Sequence, residues 1–152
     1  MAILLDTGIL LRLWDRKDPA HILVVSSVRL LYRQGIELVT SAQNIAGFWN
    51  VSTRPSSARG GYGRSVDEAD RRVQFFERYG RVLSDTPTTY LEWRRLVKEH
   101  RIIGVAVHDA RIAAQMIAWG LDEILTLNPD DFRRYTEITV RTPSEIISSG
   151  SV

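Results

Sequence analysis

The stretch Ala2-Ile3-Leu4-Leu5-Asp6-Thr7-Gly8-Ile9-Leu10-Leu11-Arg12-Leu13-Trp14 changes its periodicity in the middle. Its opening apolar run, Ala2–Leu5, reads as a buried strand. After Asp6, the apolar positions Ile9, Leu10 and Leu13 follow at steps of three, four and seven, which is the spacing of one helix face. A helix is therefore predicted over Gly8–Trp14. Asp6 stands at the junction, at the carboxyl end of the strand, and in an open parallel sheet that is where ligands bind.

The same alternation of short apolar runs with longer amphipathic stretches continues along the chain and predicts a parallel α/β sheet. Further strands are expected at Ile36–Thr40, Arg81–Leu83, Ile124–Leu127 and Ile138–Val140. Further helices are expected at His21–Gln34, Ala42–Thr53, Ser65–Tyr79, Thr88–Glu99, Asp109–Trp119, Pro129–Tyr135 and Pro143–Ser148. Gly35 and Gly120 are placed to end helices, Pro129 and Pro143 to begin them. The run Arg54-Pro55-Ser56-Ser57-Ala58-Arg59-Gly60-Gly61-Tyr62-Gly63-Arg64 is one long loop, either a mobile substrate contact or a plain connector. With 152 residues and no repeat, the expectation is a single domain over residues 1–152.

Composition removes several classes of chemistry. The chain has no cysteine, which excludes disulfides, thiolate metal sites and thiol nucleophiles. The apolar run before Asp6 is too short for a signal peptide or a membrane span, so a cytoplasmic protein is expected. Net charge is only +2 while the pI is near 9.2, because Lys17 and Lys98 are the only lysines among many arginines. Arginine suits bidentate contacts to phosphate, although an arginine excess also follows from genomic base composition.

Two further oxygen-bearing side chains converge on the position of Asp6. Asn128 follows the strand Ile124-Leu125-Thr126-Leu127, and Asp109 stands at the start of a helix after Gly104-Val105-Ala106-Val107-His108. Asp109 heads a second apolar stripe through Ile112, Ala113, Met116 and Ile117. Both aspartates thus lie in line with buried faces, where a lone carboxylate needs a cation, hydrogen bonds or a proton. Helix capping is the simpler reading of either one alone. Together they suit a hard ion, Mg²⁺ or Mn²⁺, rather than a closed zinc site. His21, His100 and His108 show no ligand spacing, and there is no phosphate-cradling glycine loop or nucleophile elbow.

From Leu4 to about Pro143 the chain resembles PIN domains, especially the VapC-type toxins of bacterial toxin–antitoxin pairs. The resemblance rests on Leu5-Asp6-Thr7-Gly8-Ile9-Leu10, Phe48-Trp49-Asn50-Val51, Thr53-Arg54-Pro55, His108-Asp109-Ala110-Arg111, and Leu125-Thr126-Leu127-Asn128 with Asp131-Phe132. Each string is short; their joint order and spacing are specific. The resemblance implies a three-layer α/β/α sandwich around a parallel sheet, Mg²⁺ or Mn²⁺ at a cluster of acids, and cleavage of single-stranded or looped RNA. Asp6 and Asp109 match two of the family's aspartates, and Asn128 matches a position held by aspartate or asparagine. Asp131 is expected to cap or support rather than to ligate.

One departure stands out. Where the family has glutamate before the aromatic residue, this chain reads Gly47-Phe48-Trp49. Gln43, Asn44 and Asn50 share the helix face of Gly47 and can hold water or a phosphate, but none replaces the missing charge. The expectation is therefore a weakened metal-dependent endoribonuclease, with Asp6, Asp109 and Asn128 as the metal-binding set. Asn44, Arg54 and Arg111 are the candidate substrate contacts. The alternatives are an inactive PIN scaffold that binds RNA or an antitoxin, and a phosphatase-like enzyme on a similar sheet. The resemblance also implies a cognate antitoxin and a homodimer, with Leu13, Trp14, Leu30, Leu31 and Trp49 as candidate contact residues.

Overall fold

In the computed structural model, which describes residues 1–150, five parallel strands carry seven α-helices. The strands are β1 (Ala2–Leu5), β2 (Glu37–Ser41), β3 (Arg81–Leu83), β4 (Glu123–Leu125) and β5 (Thr139–Arg141). The helices are α1 (Thr7–Arg12), α2 (His21–Arg33), α3 (Ala42–Thr53), α4 (Val66–Tyr79), α5 (Pro87–Glu99), α6 (Ala106–Ala118) and α7 (Pro143–Gly150). Strand order is β3-β2-β1-β4-β5. From β1 the chain builds outward to β2 and β3, then returns to add β4 and β5 on the other side. The reversal leaves a crevice between the carboxyl ends of β1 and β4.

Alternation along β1 explains the three layers. Ile3 and Leu5 face one side, where α1, α2, α3, α4 and α7 supply Leu10, Val28, Phe48, Phe76 and Ile146. Leu4 faces the other, where α5 and α6 supply Leu96, Ala113 and Met116, joined by Phe132 and Tyr135 from the chain after β4. A strand buried on both faces has no polar side to show, which is why Ala2–Leu5 reads as an unbroken apolar run. None of the helices among the described residues is long and apolar enough to cross a membrane.

Beyond shifts of one or two residues at element ends, three features differ from the sequence reading. The helix expected over Pro129–Tyr135 is a single 3₁₀ turn, Pro129–Asp131. The amides of Phe132 and Arg133 both turn back to the Pro129 carbonyl, so the helical ladder stops there and the Phe132 and Tyr135 rings drop into the core. Helix α6 begins at Ala106, not Asp109, because Gly104 in its left-handed conformation (φ +61°) closes the preceding turn. The long loop is anchored rather than free: Tyr62, Gly63 and Arg64 donate backbone hydrogen bonds to Val51, Arg54 and Ser52 at 2.8–3.0 Å. Gly61 lies so close to the chain's own backbone that a Cβ there would meet the Pro55 carbonyl at 2.3 Å.

Candidate active site

Asp6 leaves β1 with its backbone N–H bonded to the Leu125 carbonyl of β4 (3.1 Å), which fixes it at the crevice. Its carboxylate is held by three donors from three parts of the chain. The Thr7 amide reaches Oδ1 at 2.8 Å, the Asn44 side-chain amide reaches Oδ1 at 3.2 Å, and the Thr126 hydroxyl reaches Oδ2 at 2.8 Å. Asp6 therefore caps α1 and also presents one fixed orientation to the cleft.

Asn44 is placed differently from its expected role as a substrate contact. It is fully buried, and its carbonyl oxygen accepts from the Ser41 hydroxyl (2.5 Å) and amide (3.4 Å). Its amide nitrogen serves Asp6 and the Thr7 hydroxyl (3.0 Å). A phosphate could reach it only by displacing the aspartate it supports. Ser41 and Asn44 also form the capping box of α3, so one pair both starts the helix and holds the acid.

Asp109 enters from the opposite layer. It sits in the first turn of α6, where the cap position belongs to Val105 and no side chain caps the helix. Capping thus accounts for part of what Asp6 does and for none of what Asp109 does. Burial, then the nearby charges of Asp131 and Asp6, push the Asp109 carboxyl up to about 6, against the opposing pull of His108 and Arg134. Burial also raises Asp6, with Asp131 adding to it and the three hydrogen bonds working the other way.

The cleft between them has a volume of about 580 Å³ and is lined by Asp6, Thr7, Gly8, Gln43, Ala46, Gly47, Asn50, His108, Asp109, Arg111, Ile112, Asn128 and Asp131. Four of the sequence candidates, Asp6, Asp109, Asn128 and Arg111, meet here around Gly47. Asn128 is exposed, and its side chain makes no hydrogen bond among the described residues. Arg111 is paired with Asp85 and lies 3.4 Å from the Gln43 side-chain oxygen. Arg54 is not brought to the cleft: it ends α3, and its guanidinium donates to the Arg59 carbonyl at 2.5 Å inside the anchored loop. Of the histidines, only His108 lines the cleft, while His21 is bound to the Arg12 carbonyl at 2.6 Å and His100 packs against Tyr135.

Three participants carry little signal in the sequence. Thr126 was visible only as a polar residue in the aliphatic run Ile124-Leu125-Thr126-Leu127, yet it is fully buried and holds Asp6. Asp131 lines the cleft and is a charge felt by both aspartates, beyond the capping role expected of it. Asp85, which binds Arg111, lies in a loop with no pattern at all.

The chemistry of the donor set suits a divalent cation. Carboxylate and amide oxygens gather in one cleft without a thiolate or a histidine pair, and two carboxylates are driven toward protonation there. Hard ions suit such donors and relieve such repulsion. No group of three or more histidine, aspartate or glutamate side chains is placed to hold a metal among the described residues. The donors suit a hard ion that keeps part of its water rather than a closed cage.

A family model described as "PIN domain" matches residues 3–138. This chain belongs to the PIN domain family. The PIN domain here has the fold of several solved VapBC and VapC structures, all at low sequence identity. VapBC2 from Rickettsia felis, bound to a DNA fragment from its promoter, superposes with a TM-score of 0.65 at 16% identity, covering 93% of this chain and 98% of that one. VapBC-1 from nontypeable Haemophilus influenzae gives 0.63 at 20% identity, covering 95% and 99%. VapC20 from Mycobacterium tuberculosis, a toxin that cleaves the sarcin–ricin loop, gives 0.56 at 20% identity, covering 80% and 86%. Among curated protein sequences, none is a significant match to this PIN domain.

Proposed function

We propose that this PIN domain is a VapC-type endoribonuclease, dependent on Mg²⁺ or Mn²⁺ and weakened by Gly47. The observation that carries the reading is the meeting of Asp6 and Asp109 from opposite layers of the fold in one cleft, where burial and neighbouring acids drive both carboxylates toward protonation. Asp6, Asp109 and Asn128 would hold the ion, which supplies charge neutralisation and an activated water for phosphodiester hydrolysis. The chain's own part is positioning. Thr7, Asn44 and Thr126 fix Asp6 in a single orientation, so its two oxygens do not have to be ordered when substrate arrives. Arg111 is the arginine placed to take a phosphate, by exchanging its partner Asp85 for the substrate.

A second reading, an RNA-binding or antitoxin-binding scaffold without catalysis, has its own support in Gly47 and in the absence, among the described residues, of three acids placed to hold a metal. One assay separates the two: a fluorescent single-stranded RNA with Mn²⁺ or chelator, using native protein, Asp109→Ala and Gly47→Glu. A glutamate Cβ at position 47 would lie 3.1 Å from the Thr7 hydroxyl and 3.2 Å from its methyl, so Gly47→Glu is also combined with Thr7→Ser. Metal-dependent cutting by native protein that Asp109→Ala abolishes supports the nuclease. Silence in native protein and cutting in the Gly47→Glu pair supports the scaffold.

The proposal extends to a cognate antitoxin and to action in the cytoplasm. An apolar groove of about 350 Å³ lies between α2 and α4, lined by Leu13, Trp14, Val25, Val28, Tyr32, Phe75 and Tyr79 among others. Tyr32, Phe75 and Tyr79 are exposed, an arrangement that favours a partner's helix. Leu13 and Trp14 belong to this groove, whereas Leu31 is core and Leu30 and Trp49 are packed against it. A homodimer completes the proposal by family likeness.

A further inference from the structure

Beside the acidic cleft, a second depression of about 330 Å³ is lined by Asp85, Thr86, Thr89, Tyr90, Trp93 and Arg111. Arg111 lines both cavities, so the depression adjoins the cleft. The Tyr90 and Trp93 rings lie nearly parallel, 29° between planes with centroids 6.2 Å apart. Trp93 is fixed by its indole N–H donating to the Val107 carbonyl at 3.0 Å. Tyr90 is 59% exposed and contributes to neither core cluster, so packing does not account for an aromatic ring there. The Thr86 hydroxyl lies at the rim, within 2.9 Å of the Thr88 hydroxyl. Gln115, buried at 2% exposure, donates to Asp85 at 3.0 Å and so holds the acid that holds Arg111.

An open aromatic face, hydroxyls at its edge and a guanidinium at its mouth are the groups that bind one unstacked nucleotide. We propose that this depression is a base pocket of the RNA-cutting site: a nucleotide flanking the scissile phosphate stacks its base on Tyr90, and Arg111 leaves Asp85 to hold the phosphate between. This rests on the RNA-directed reading above and deepens it by naming a contact that selects single-stranded over paired substrate. A base inside a duplex cannot reach the ring without unstacking.

The test is fluorescence anisotropy of short single-stranded oligoribonucleotides, intact or with one abasic position moved along the strand. Native protein is compared with Tyr90→Ala and Tyr90→Phe, and each is checked by sedimentation. The expected result is affinity at least about fivefold weaker for Tyr90→Ala and within about twofold of native for Tyr90→Phe. One abasic position should cost native protein the same factor and cost Tyr90→Ala nothing further. RNA binding that Tyr90→Ala leaves unchanged overturns the pocket but spares the RNA-directed reading. No RNA binding by native protein overturns both. A dimer that Tyr90→Ala converts to monomer assigns the ring to a contact between copies and overturns the pocket.

Discussion

Asp109 is pushed up to about 6 by burial and by the charges of Asp131 and Asp6, and that displacement has a thermodynamic sign. A carboxyl whose pKa is higher in the folded protein binds its proton more tightly there than in the unfolded chain. Its stabilising contribution is complete below the ordinary value of 3.8 and is lost as pH rises through about 6. In chelator, native protein should therefore lose Tm relative to Asp109→Asn between pH 4 and 7, as followed by circular dichroism. A difference that is flat across this window would show that burial and the neighbouring acids do not raise Asp109. Asp6 is raised in the same direction and should leave a residual slope in Asp109→Asn. At this scale the sequence was informative about charge and silent about support. Asp6 and Asp109 announced themselves by heading apolar stripes. Thr126 looked like an ordinary polar residue and Asn44 like a substrate contact, because what they do depends on partners 120 and 38 positions away.

Helix α3 is the element on which two jobs coincide. Ser41 caps it through the Asn44 amide at 2.9 Å and orients the Asn44 side chain that holds Asp6. Loss of an N-cap costs about 0.5–2 kcal/mol, and a fully buried cap with a second bond belongs at the upper end. Ser41→Ala should lower Tm by about 4 °C or more and weaken Mn²⁺ binding measured by calorimetry. Arg54→Ala, at the other end of the helix, should change Mn²⁺ binding little. A Ser41→Ala protein with lower Tm but native metal affinity would separate the two jobs. Elements were legible where apolar spacing was strong, as in α2 and α4, and less so where turns decide. Asp109 looked like a cap because aspartate is a favoured one. The start of α6 was set instead by Gly104, whose left-handed turn leaves Asp109 one turn inside the helix and free to face the cleft.

Across the whole molecule, β1 joins everything that matters. Its alternation commits Ile3 and Leu5 to one layer and Leu4 to the other, and Asp6 is simply where that strand ends. Leu4→Ala removes a fully buried side chain from the layer built by α5 and α6 and should cost about 2–5 kcal/mol in urea unfolding. A loss below that range would mean that α5 and α6 collapse onto the gap. The parallel sheet was readable from alternating strands and helices, because strands covered on both faces must be apolar throughout. Strand order was not, since nothing in Glu123–Leu125 says that it pairs with β1 rather than β3. That pairing is the feature with the widest consequence. Asp6 is made 120 residues before its Thr126 partner, and Asp109 is supplied by α6 just before β4. A nascent chain on the ribosome therefore carries the first acid through those 120 residues of synthesis without a finished cleft around it. If the cleft cuts RNA, its own translation machinery is spared until β4 has emerged and docked beside β1.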